Sequence, residues 1–154
     1  MFVEAIKKVS EFTRPIHTIT REYDSDFVMP SAATMFFVNE SGVAITCKHV
    51  AEIIAQADMV NSQYSLFKEE KKSLPVGNKF KRKLRELEQK YKYQNAITIQ
   101  IKNTFVDCVD KFDSFQIVVH PIYDLAVIKF NGYTELNYKN HAVFLKDETQ
   151  VQQG

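Results

Sequence analysis

From Ile97 to Lys102 the chain alternates strictly: Ile97, Ile99 and Ile101 are apolar, and Thr98, Gln100 and Lys102 are polar. Successive side chains on an extended backbone point to opposite faces, so a period of two marks a strand buried on one side. Short apolar segments of similar texture recur at residues 16–19, 34–38, 43–46, 115–119 and 125–130, with a last apolar group at 142–145. Asn39-Glu40-Ser41-Gly42 separates two of them by a short loop ending in glycine, the signature of a β-hairpin. Six or seven short strands spaced by turns predict an all-β chain folded as a closed or nearly closed antiparallel barrel.

Three stretches break this texture. Phe2, Val3, Ile6 and Val9 share one face of a helical segment over residues 2–12, with Lys7, Lys8 and Glu11 off that face and Pro15 as the stop. His49 to Ile54 reads as one or two helical turns, and residues 57–78 read as polar and irregular, punctuated by Pro75, Gly77 and Asn78. Phe80, Leu84, Leu87 and Tyr91 form a narrow helical stripe. The expected organisation is one domain over residues 1–154, with an N-terminal helix at 1–13 and a charged, partly helical insertion at 57–94.

Composition narrows the classes. With 45% apolar and 25% charged residues the chain is too apolar for disorder. Lys and Arg total 20 against 19 Asp and Glu, a net charge of +1, which does not suggest a globally basic nucleic-acid binder. The balance conceals a basic segment: residues 68–92 hold ten Lys or Arg and four Glu. Its simplest reading is a solvated face. A contact with a partner or a membrane surface ranks next, and nucleic-acid recognition last, for want of any base-reading motif. No run approaches the ~18 apolar residues of a membrane span, and Glu4, Lys7, Lys8, Glu11 and Arg14 interrupt any secretory core. Two cysteines, Cys47 and Cys108, suit free thiols in a reducing compartment, so a cytoplasmic location is expected.

Two segments carry potential chemistry. In the first, the hairpin delivers a strand through Thr46-Cys47-Lys48 into a helical turn bearing His49. In the second, Asp124 immediately precedes the apolar strand Leu125-Ala126-Val127-Ile128. A half-buried carboxylate at a strand end calls for a charged or hydrogen-bonding partner. His120 stands before Pro121 in a loop and is read as a loop residue, His17 and His141 as strand residues without a site role, and Cys47 as an inert buried strand residue. No Cys-x-x-Cys or His-x-x-x-His spacing supports zinc on His49, His120 and Cys47, so no metal and no cofactor are expected.

Thr46-x-x-His49-Val50 resembles the histidine motif of trypsin-like serine peptidases, and Asp124-Leu125-Ala126-Val127-Ile128-Lys129 resembles their aspartate motif, in the family's order and strand context. The likeness is nearest to bacterial HtrA-like members. It implies the first six-stranded antiparallel Greek-key barrel of a double-barrel peptidase, with His49 as general base and acid and Asp124 as its orienter. The family draws its nucleophile from a Gly-x-Ser-Gly stretch downstream of the aspartate. Here no Ser or Cys follows Asp124, and only Thr134 and Thr149 supply aliphatic hydroxyls. The expectation is therefore the N-terminal half of a peptidase that would act on polypeptide substrates when complete and is inactive as this chain. The alternative is a non-catalytic binding or assembly module. A face made to meet a second barrel would lie uncovered, so a homodimer through it is expected. No specific nucleic acid and no membrane is expected as partner.

Overall fold

The computed structural model describes residues 2–145. The elements run α1 (Phe2–Ser10), β1 (Thr13–Glu22), β2 (Val28–Phe37), β3 (Val43–Thr46), α2 (Lys48–Lys72), α3 (Phe80–Tyr91), β4 (Thr98–Phe105), β5 (Val109–Asp110), β6 (Ser114–Val119), β7 (Ala126–Asn131) and β8 (Glu135–Leu136). Six strands share one sheet in the order β4-β1-β2-β3-β7-β6, and β5 pairs with β8. The expected antiparallel sheet is present, with far more helix than expected. Among the described residues no helix is long and apolar enough to cross a membrane.

The chain divides into two compact units. Among the described residues the first comprises 2–17, 32–53 and 104–145, and the second 18–31 and 54–103. In the first unit the predicted hairpin forms, with Phe36 opposite Ile45 and Phe37 opposite Ala44. Gly42 closes its turn at φ +70°, a conformation that costs other residues strain, and a side chain there would meet the Tyr133 ring at 3.0 Å. Strand β3 pairs with β7, and β7 with β6, all antiparallel. Phe37, Met35, Ile128 and Phe130 fill the core, with Tyr138 stacked on Phe37 at 3.8 Å. The expected apolar face of α1 forms but is not buried: Phe2, Val3, Ile6 and Val9 all stand exposed. The helix also ends at Ser10, ahead of Pro15, which falls inside β1. The final group Ala142–Leu145 is irregular rather than a strand, and His141 lies in the same irregular stretch, not in a strand.

In the second unit Phe67, Leu87, Tyr93 and Ile99 form the core, with Leu84 and Tyr91 of the predicted α3 stripe packed on it. Residues 57–72 are not irregular but belong to the 25-residue α2. The segment has no Gly or Pro before Pro75, and Phe67 buries one side of it. Asn61 then ties the helix to β4, donating from Nδ2 to the Ile101 carbonyl at 2.8 Å and accepting the Ile101 N–H at 2.9 Å.

Candidate functional site

The site grows from strand register. Thr46 at the end of β3 lies opposite Ala126 at the start of β7. The residues just beyond each, Cys47 to His49 on one side and Asp124 and Leu125 on the other, therefore emerge at the same end of the sheet. Thr46 is buried and donates from Oγ1 to the Thr34 carbonyl at 2.9 Å, which pins this strand end. His49 is the second residue of α2, and Asp124 lies in the β6–β7 loop two residues before β7.

His49 and Asp124, 75 residues apart in sequence, meet in two places. The His49 backbone N–H donates to Asp124 Oδ1 at 3.0 Å, and His49 Nδ1 lies 2.8 Å from Asp124 Oδ2. The first contact also satisfies one of the unpaired amides at the start of α2. Hydrogen bonds from the His49 backbone and then from its ring hold the Asp124 carboxyl below the usual carboxylate range. Both side chains are open, at 68% and 57% exposure. With Nδ1 engaged by a carboxylate, the other ring nitrogen is left outward, where it can take or give a proton.

Cys47 joins them. One donor atom each from Cys47, His49 and Asp124 falls within 4.8 Å of the others. The inert buried thiol expected at this position is in fact exposed and free. Its signal was available in the alternation: Ala44 and Thr46 point inward, so Cys47 belongs to the outer face. Cys108 is the buried, free thiol, its pKa pushed up to about 11 by desolvation. His120 stays apart, its Nδ1 accepting the Ile122 and Tyr123 N–H groups within the loop. His17 lies exposed on β1. Thr134 donates from Oγ1 to the Asp110 carbonyl, and Thr149 lies outside the described residues.

Beside the pair the outer sheet face is apolar. Phe36 lies opposite Ile45, Ile45 opposite Val127, and Val127 opposite Val118, one continuous row across four strands. With Leu125 and Phe144 these residues line an open cavity of about 400 Å³. Compared with known proteins, the chain matches no family model, and no curated protein matches it significantly.

Proposed function

We infer that this chain is the His- and Asp-bearing half of a trypsin-like serine peptidase, built on the first of two Greek-key barrels. The observation that carries the reading is the His49–Asp124 pair at 2.8 Å, 75 residues apart in sequence and joined at one sheet end. A hydroxyl becomes an effective nucleophile only when an imidazole removes its proton, and the imidazole needs a carboxylate to hold its tautomer and stabilise its cation. His49 is the base in this scheme and Asp124 the orienter. The hydroxyl and the oxyanion donors come from a second barrel, because no Ser or Cys follows Asp124 in these 154 residues.

Two further features support the reading. The Phe105 ring lies 5.3 Å from Phe115 on β6, an aromatic contact within the first unit of the kind a barrel core is built from. The apolar row Phe36–Ile45–Val127–Val118 offers the dry surface a second barrel would cover. The same row serves the second reading, a non-catalytic assembly module, and in either case an uncovered copy should self-associate.

The 154-residue chain should neither cleave casein nor react with a fluorophosphonate serine probe, and labelling of any residue contradicts the assignment. Reading the gene beyond codon 154 separates the two functions. A continuing frame with Gly-x-Ser-Gly supports the peptidase, and its product should label with the probe, with Asp124→Asn lowering turnover by about four orders of magnitude. A stop at that point supports the assembly module.

A further inference from the structure

The His49–Asp124 pair leaves Cys47 unexplained, since neither orienting an imidazole nor meeting a second barrel calls for a thiol at this spot. We propose that Cys47, His49 and Asp124 form a binding site for a borderline-soft divalent cation of the Zn²⁺ class, with solvent in the fourth position. The inference stands on geometry alone and does not depend on the peptidase reading.

Three different donor types converge here. A thiolate, an imidazole and a carboxylate are the standard ligands of Zn²⁺, and three protein ligands plus water make the open form of such a site. Their donor atoms already lie within 4.8 Å of one another. Ligands about 2.0–2.3 Å from a tetrahedral zinc are separated by about 3.3–3.7 Å, so closure asks for roughly an ångström of movement. The Nδ1–Oδ2 pair, at 2.8 Å, needs only to open slightly for a cation to replace the proton between them. All three side chains are exposed, so rotamer change meets little packing resistance. Their backbones are fixed by the Thr46–Ala126 pairing and by the His49 N–H bond to Asp124, which limits the ordering still required on binding.

Binding forms a metal–sulfur bond and releases the thiol proton to solvent. The imidazole stays neutral, its proton moving to the ring nitrogen that does not bind. The carboxylate is already held ionised by its hydrogen bonds. The bound cation would occupy the imidazole and carboxylate together, so the site would compete with any proton-transfer role of the pair.

The test is a titration of the purified 154-residue chain with Co²⁺ alone, followed by displacement with Zn²⁺. The expected result is one equivalent bound, with a near-ultraviolet thiolate-to-cobalt band and the intense visible bands of a four-coordinate ion, both removed by zinc. Cys47→Ser should abolish the near-ultraviolet band, and His49→Ala should weaken binding roughly tenfold or more. Cys108→Ser and His120→Ala should leave the spectrum unchanged. Circular dichroism of each variant separates lost binding from lost fold. Absence of saturable binding, a band that survives Cys47→Ser in folded protein, or a band lost with Cys108→Ser would overturn the proposal. The peptidase reading would stand through any of these results, since it fails only by the probe and gene-frame tests.

Discussion

The two units solve the problem of an aromatic core differently. The first is built from phenylalanine: Phe105, Phe112, Phe115 and Phe130 pack mostly edge to face, with centroids 5.0 to 6.4 Å apart. The second rings Phe67 with tyrosines, among them Tyr23, Tyr64, Tyr91 and Tyr93. Two of these hydroxyls end on carboxylates: Tyr23 donates to Glu88 at 2.6 Å and Tyr91 to Glu70 at 2.6 Å, with Lys90 also on Glu70. Tyrosine brings apolar area and a polar tip that needs a partner. The second unit thus finishes its surface with charge. The first leaves an apolar row, a hydrogen-bonded His–Asp pair and a thiol in the open.

The largest test of this contrast lies in the cores. Phe37→Ala and Phe67→Ala should each cost about 3–5 kcal/mol in denaturant titrations, the range for deleting a buried aromatic. Hydrogen exchange read residue by residue should show the loss concentrated in the unit that carries the substitution. Equal loss of protection in both units would break the comparison.

A smaller effect is expected at the hairpin that feeds the site. Gly42→Ala places a side chain at φ +70° against Tyr133 and should cost about 1–2 kcal/mol. Tyr23→Phe removes the hydroxyl bond to Glu88 and should cost about 1 kcal/mol, the size of one hydrogen bond. A cost near zero would mean that the polar finish of the second unit contributes little.

The smallest effects are in pH dependence, and they have opposite signs in the two units. Asp124 has a folded pKa below its ordinary 3.8, so its contribution is present above that value and lost as pH falls through the lowered one. Asp124→Asn should therefore flatten the acid limb of stability. Tyr91 is raised from 10.0 to about 12 by its bond to Glu70, so its contribution is present below 10 and lost as pH rises through about 12. Tyr91→Phe should flatten the alkaline limb, as seen in thermal melts across that range.

What could be read from sequence followed periodicity. The alternation of Ile97, Ile99 and Ile101 became β4, the Gly42 turn became the β2–β3 hairpin, and the stripe of Leu84, Leu87 and Tyr91 became the packed face of α3. The meeting of His49 with Asp124 was legible only by likeness to a family, since nothing local in either segment specifies a partner 75 residues away. Two features were hidden for physical reasons. Helix α2 carries an inward stripe of Ala51, Ile54, Ala57, Val60, Tyr64 and Phe67, but exposed Ile53, Met59 and Leu66 on its other side blur the pattern. The exposed side of Cys47 follows from the alternation of Ala44 and Thr46, but its meeting with His49 and Asp124 depends on the β3–β7 register, which no local pattern gives.

The central claim is that Asp124 holds the His49 ring in a single tautomer. Nitrogen-15 NMR of histidine-labelled, metal-free protein near neutral pH measures this directly, using Asp124→Asn as the comparison. The account predicts a neutral His49 protonated at Nδ1, with a strongly deshielded proton that disappears in Asp124→Asn. A His49 protonated at Nε2, with a spectrum indifferent to that substitution, would contradict it.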